Sequence, residues 1–181
     1  MALSRQWSFV LVIVAGLVGG AAALTVFGAD VGRVAVGSAA PDFRAPNLAT
    51  GDTVSIRRDY RGKVTLVNIW ATWCVPCRIE MPAMEQVYRD LAPRGFAIAA
   101  VSIDEGDPAD VETFVRELGL SFDILHDRST SIQQVYQTTG VPESFLLDRR
   151  GVIVKRVIGA HDWNSEANRT LIERLLDQPD R

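Results

Sequence analysis

Residues 66–85, "LVNIWATWCVPCRIEMPAME", constrain the fold more than any other part of the chain. The stretch begins inside a nearly continuous apolar run, residues 64–70, as expected of a strand covered on both faces. It continues into a helical pattern over residues 77–91, with Ile79, Met84, Val87 and Leu91 roughly on one face. Between the two lie Cys74 and Cys77, the only cysteines of the chain. A buried strand that runs straight into a helix opening on C-x-x-C sets the pair at the end of a sheet. Two cysteines with no others to help them could hold a metal, staple a loop or carry electrons.

The remaining pattern supplies the sheet. Residues 43–47 and 53–57 read as short strands around the turn "ATGD". Residues 96–103, "FAIAAVSI", are a second buried strand. Asp107-Pro108 opens a helix with a cap residue and a first-turn proline, and Gly119 ends it. A strand over residues 122–125, a helix over 131–137, strands over 144–147 and 152–158 joined by "DRRG", and a helix over 164–176 complete the chain. Strand–helix–strand, a crossover, then a hairpin and a last helix gives an α/β fold with helices on both sides of a central sheet. This is the element order of the thioredoxin fold, with an added N-terminal hairpin and an inserted helix–strand unit over roughly residues 107–125. Residues 41–178 are expected to form this one domain, enough chain for a sizeable core. The net charge of −3 gives no reason to invoke nucleic acid.

The N-terminus differs. Residues 8–28, "SFVLVIVAGLVGGAAALTVFG", carry no charge. Their 21 residues match the roughly 20 needed for a membrane-spanning helix. Arg5 before them predicts a cytoplasmic N-terminus and an exported domain. A cleaved signal peptide is the rival, with Ala21-Ala22-Ala23 as its cleavage site. The apolar run continues past that site to Phe27, which favours an anchor over residues 1–28. Both readings place the domain outside the cytoplasm, where thiols oxidise. Residues 29–40 read as a flexible linker.

The pair itself can be argued by elimination. A structural zinc site needs about four ligands. His126 and His161 stand in no ligand spacing and read as surface or capping residues. A staple across two intervening residues removes little unfolded-state entropy. A redox pair remains. Cys74 at the helix N-terminus has orphan N–H groups and the helix dipole to favour a thiolate. Cys77, one turn in, is less exposed and within reach. Cys74 is therefore the expected nucleophile and Cys77 the resolving thiol. Lowering a thiol pKa from about 8.5 to about 7 raises its thiolate fraction at pH 7 roughly 16-fold. Intrinsic nucleophilicity falls about fivefold, leaving a net gain of about three. The redox poise is the larger consequence. Val75 and Pro76 between the cysteines are not cationic, so the thiolate is only modestly stabilised and a reductant is expected. Trp70 reads as core; Trp73, beside the nucleophile, reads as part of a docking surface.

With these residues the chain resembles the TlpA/ResA/CcmG (DsbE) family of membrane-anchored, thioredoxin-fold thiol–disulfide oxidoreductases. The similar segments are "APDF" at 40–43, "GKVTLVNIWATWCVPCRIEMP", "GVPESFLLDRRG" at 140–151 and "DW" at 162–163. The resemblance implies a disulfide reductase outside the cytoplasm, on the periplasmic side of a bacterial inner membrane. Its expected work is cytochrome c maturation on apocytochrome c or haem-ligation proteins, with electrons from a membrane thiol transporter of the CcdA/DsbD type. No cofactor or metal is implied beyond the Cys74–Cys77 pair. Pro142 matches the family's cis-proline, and Val141 and Glu143 beside it match docking positions. Glu80 matches a family glutamate after C-x-x-C. One reading makes it the proton acceptor for Cys77; the other makes it a first-turn acid complementing the helix dipole. Thioredoxins have a buried aspartate six residues before the first cysteine; Asn68 occupies that place and cannot titrate. Glu143 is similar to the CcmG branch and Val75-Pro76 to the TlpA branch.

Two other functions compete. Peroxiredoxins share "APDF" and the fold, but their motif has Thr three and Pro seven residues before the reactive cysteine. Those places hold Ala71 and Val67 before Cys74, and Cys74 and Trp70 before Cys77. A role in copper-protein assembly, as reductant or as a Cu(I) chaperone, would recruit both thiolates and a distant histidine, His126 or His161.

Overall fold

The computed structural model describes residues 34–178. The expected anchor, residues 1–28, lies outside the described residues. Among the described residues no helix is long and apolar enough to cross a membrane. The elements run β1 (Arg44–Pro46), β2 (Thr53–Ser55), α1 (Ile56–Asp59), β3 (Val64–Trp70), α2 (Val75–Leu91), a 3-10 turn (Ala92–Arg94), β4 (Phe96–Ser102), α3 (Pro108–Leu118), β5 (Asp123–His126), α4 (Ser131–Val135), β6 (Glu143–Leu147), β7 (Ile153–Ile158) and α5 (Glu166–Leu176).

Five strands form one mixed sheet in the order β5-β4-β3-β6-β7, and β1-β2 form a separate antiparallel pair. β3 is central. It runs parallel to β4 and antiparallel to β6. Each parallel step needs a crossover, and α2 and α3 supply the two. Every residue of β3 and β4 is buried, so both faces of the sheet centre are covered. Trp70, Phe145, Tyr136 and Trp163 fill the core without exposure. The inserted unit is α3 and β5, with β5 extending the sheet beyond β4. Asp107 caps α3, accepting from the Ala109 N–H at 2.9 Å. Gly119 ends it at φ +61°, a conformation that costs glycine little.

The details differ from the sequence reading in places, each for a local reason. The strand expected over 53–57 stops at Ser55, whose hydroxyl accepts from the Arg58 N–H at 3.1 Å and starts α1. Residues 34–40, expected to be flexible linker, pack on the domain instead. Val34 and Ala40 are buried. Gly37 N–H donates to the Ile153 carbonyl, Ile153 N–H to Ser38, and Ala40 N–H to Gly151. The small residues there allow the backbone to lie along β7, which a reading of composition took for looseness. Ile79 is 71% exposed rather than on the core face. The buried face of α2 is Cys77, Glu80, Met81, Met84, Glu85, Val87 and Leu91, so a glutamate takes the place expected for Ile79.

Candidate active site

The end of β3 and the start of α2 hold the cysteines. Cys74 is the N-cap of α2 in an extended conformation, and its sulfur accepts from the Cys77 N–H at 3.2 Å. Pro76 fits the first turn, where a missing N–H leaves nothing unpaired. The two cysteines form a disulfide with their Cα atoms 5.3 Å apart. Cys74 is 4% exposed and Cys77 not at all. Only the first sulfur therefore has any access from outside. Around it Trp73 is 66% and Val75 70% exposed, next to Pro76 and Ile79. These apolar groups make a solvent-facing rim, which a protein surface does not carry at no cost. A cavity of about 770 Å³ lies at the other end of the sheet, lined in part by Arg57, Tyr60, Thr65 and Arg149; neither cysteine lines it.

Behind the disulfide lies Glu80. It sits one turn past Cys77 on the same helix face and is only 3% exposed. Its carboxylate is held from two directions. The Asn68 amide on β3 donates to Oε1 at 2.8 Å. The His161 backbone N–H donates to Oε2 at 3.0 Å. Burial raises Glu80 from an ordinary 4.5 to about 7, against the downward pull of those two bonds. Asn68 also donates to the Ser144 hydroxyl at 2.9 Å, directly across the β3–β6 ladder. Both amide hydrogens of Asn68 are thus committed. The His161 loop is itself anchored. Trp163 is fully buried, and the Asn168 amide donates to the Asp162 carbonyl at 2.6 Å. The "DW" segment therefore holds a main-chain donor against Glu80, a function its residue types do not announce.

The Val141–Pro142 peptide is cis. Pro142 is buried and immediately precedes β6, whose first residue Glu143 pairs with Ile69 near the end of β3. It is therefore at the same end of the sheet as the cysteines. Its carbonyl accepts from the Gly159 N–H at 2.8 Å. Val141 beside it is half-buried. Glu143, expected on the docking surface, is instead fully buried. Arg156 pairs with it at 2.6 Å, and the Thr139 N–H donates to it at 3.0 Å. Fully buried, its charge needs the partner that Arg156 supplies from β7. His126, expected at the surface, is also buried, with Nε2 2.7 Å from the Asp104 carbonyl. His161 Nε2 lies 2.9 Å from the Asn168 amide and 3.2 Å from the Lys155 ammonium. Among the described residues, no three His, Cys, Asp or Glu side chains are grouped as metal ligands.

Sequence reasoning missed Asp104 and Thr72. Asp104 is buried after β4, and its carboxylate accepts from the Thr72 N–H at 3.0 Å and the Thr72 hydroxyl at 2.6 Å. The available signal was an acid two residues past a buried, mostly apolar strand, in "SIDEGD".

A cysteine pair at a helix start, its second member fully shielded, and a buried carboxyl on a thioredoxin-type sheet together define a thiol–disulfide oxidoreductase. Comparison with known proteins agrees. Residues 36–156 match the AhpC/TSA family, and the chain belongs to it. Thiol-disulfide oxidoreductase ResA of Bacillus thuringiensis (strain Al Hakam) is 36% identical over 151 residues, 82% of this chain and 86% of the relative. ResA of Geobacillus kaustophilus is 36% identical over 158 residues, 87% of each chain. The crystal structure of a protein assigned as a thiol:disulfide interchange protein DsbE from Chlorobium tepidum superposes with a TM-score of 0.72. It is 30% identical and covers 80% of this chain and 99% of that one.

Proposed function

We propose that this oxidoreductase works in the reducing direction, outside the cytoplasm, on disulfides of proteins in the cytochrome c maturation pathway. The observation that carries the reading is the buried Glu80 carboxyl, raised to about 7, one helical turn past the shielded Cys77. A resolving thiol has to lose its proton inside the protein, and a carboxyl poised near neutrality can accept it.

The steps follow from the geometry. The Cys74 thiolate attacks one sulfur of a substrate disulfide, that bond breaks, and the far sulfur leaves as a thiolate. Cys77 gives its proton to Glu80 and attacks the Cys74 sulfur. The Cys74–Cys77 bond forms, the mixed disulfide breaks, and the second substrate sulfur leaves. Glu80 returns its proton to a departing thiolate. Two electrons have passed to the substrate, and the pair waits, oxidised as in the structure, for re-reduction. A membrane thiol transporter of the CcdA/DsbD type fits as the donor, with residues 8–28 as anchor at the periplasmic face of a bacterial inner membrane. Trp73, Val75 and Ile79 would receive the substrate chain, with Val141 and Pro142 just before the neighbouring strand β6.

Equilibration with a glutathione or dithiothreitol series tests the direction. The expected potential is nearer the roughly −270 mV of thioredoxin than the roughly −120 mV of DsbA; a value above about −180 mV overturns the reductase reading. Carbonate-washed membranes should retain the full-length chain, whereas soluble protein beginning near Leu24 would replace the anchor with a cleaved signal.

A further inference from the structure

We propose that Asp104 is a positioning residue for Cys74, fixing the segment that presents the first sulfur and setting a negative charge beside it. The reading rests on the thiol–disulfide chemistry at Cys74 and is independent of the reducing direction proposed above.

Asp104 is 6% exposed and lies just past the end of β4. Its carboxylate accepts four kinds of contact from three groups. The Thr72 N–H reaches Oδ2 at 3.0 Å and Oδ1 at 3.2 Å. The Thr72 hydroxyl donates to Oδ1 at 2.6 Å, and the Ser102 hydroxyl to Oδ2 at 2.7 Å. Every partner donates to it. The main chain of Asp104 is fixed as well, its N–H on the Ser102 hydroxyl and its carbonyl on the buried His126 ring. Ser102 and His126 face each other across the β4–β5 ladder. The inserted strand β5 thereby braces the loop that leads into the cysteines. Thr72 is two residues before Cys74, and Trp73 between them is exposed. Holding Thr72 by both its main chain and its hydroxyl leaves the Trp73–Cys74 peptide little freedom.

The charge has a second effect. One residue, Trp73, separates Thr72 from Cys74, so the Cys74 backbone is within about 10 Å of the carboxylate. The charged groups nearest in the fold are Glu105 beside it, Asp127 and Arg128 after β5, Arg78 and Glu80 on α2, Asp107 capping α3 and Glu117 on it, Glu143 on β6, Lys155 and Arg156 on β7, His126 on β5 and His161 after β7. Arg78 pairs with Glu117 and Arg156 with Glu143. Lys155 is bonded to Asn168. Glu80, Asp104 and Asp127 are left as buried carboxyl groups for which the hydrogen bonds come from neutral donors. A negative charge on this side opposes the helix N-terminus and disfavours the Cys74 thiolate.

The full chain, reduced, is alkylated across pH, with each sulfur followed by mass spectrometry. Asp104→Asn keeps an acceptor for Thr72 and removes the charge. Its Cys74 profile should move to lower pH; a charge about 10 Å away at an effective dielectric near 20 changes the thiolate fraction about 16-fold, and the accompanying loss of nucleophilicity leaves alkylation about fivefold faster on the acid side. Its disulfide should become more oxidising. Thr72→Val removes the hydroxyl bond and keeps the charge. Its Cys74 profile should stay at the wild-type midpoint, while reduction of insulin disulfides slows by at least about threefold through misplacement of the sulfur. A wild-type pH profile in Asp104→Asn overturns the charge role, and a wild-type insulin rate in Thr72→Val overturns the positioning role. Should Asp104→Asn fail to fold, Thr72→Val alone decides the positioning role, and Asp104→Ser, which also lacks the charge, reads the charge role by the same alkylation profile, a wild-type midpoint overturning it.

Discussion

The buried Glu80 makes stability depend on pH in the direction opposite to an ordinary salt-bridged acid. Its folded pKa of about 7 lies above the unfolded value near 4.5, so between those values the folded state holds a proton that the unfolded state has released. Stability is then fully present below about 4.5 and is lost as pH rises through about 7. The difference of two to three units corresponds to about 3 kcal/mol, of which about 2 kcal/mol falls between pH 5 and pH 8. Glu80→Gln abolishes that dependence. Glutamine can accept from Asn68 or from the His161 N–H, but its NH2 opposes the other donor, a fixed cost of about 1 kcal/mol at every pH. The variant should be less stable than wild type at pH 5 and more stable at pH 8. Urea unfolding of the oxidised proteins at pH 5, 6, 7 and 8 reads this difference directly. The fixed cost cancels in the change with pH, and so do titrations common to both proteins. Parallel curves for the two proteins would mean that Glu80 is ionised throughout, and would remove the proton acceptor from the proposed mechanism.

Three further outcomes are expected. Cys77→Ser should trap substrate as a mixed disulfide on Cys74 while Cys74→Ser traps little, because Cys77 has no exposure; non-reducing gels with mass spectrometry of the adducts check it. Trp73→Ala should leave stability within about 0.5 kcal/mol, since the ring is mostly exposed. It should slow reduction of protein disulfides while sparing a small disulfide such as oxidised glutathione, which separates docking from chemistry. Arg156→Ala should destabilise by about 3 kcal/mol or more, because it strands the buried Glu143; chemical denaturation measures it.

Some of this was legible in the sequence and some was not, for identifiable reasons. The β3–α2 junction was legible because two independent patterns meet there, an apolar run and a cysteine spacing. Pro142 came through the resemblance, as did Glu80, which helical spacing then placed on the face of Cys77. Spacing could not say what stands behind Glu80. Asn68, Ser144 and His161 come from three separate elements, and one of the contacts is made by a main-chain N–H that any residue could supply. Ile79 and Glu80 show the same limit. Hydropathy assigns the isoleucine to the core and the glutamate to water, whereas the register of α2 on the sheet reverses both. A small error in the rotation of a helix is enough to exchange neighbours, and periodicity does not fix rotation to that accuracy. Glu143 was placed on the docking surface through the resemblance, beside Pro142, but it is buried against an arginine thirteen residues away.

The placement of the titrating group on α2 rather than on β3 has its own logic. Asn68 and Glu80 are 2.8 Å apart, and two carboxyl groups at that distance could not both ionise. With asparagine on the strand, the neighbour is a neutral donor that orients the Glu80 carboxylate without competing for its proton. Glu80 and Cys77 then share one rigid helix, so their separation is set by helical geometry and not by how α2 packs on the sheet. The two contacts from outside the helix, from β3 and from the His161 loop, hold the carboxylate by hydrogen bonds alone. Burial is left as the dominant influence on its charge, and burial here comes from the same core that shields Cys77. The proton acceptor and the shielded thiol are therefore consequences of one feature, the inward face of the first two turns of α2.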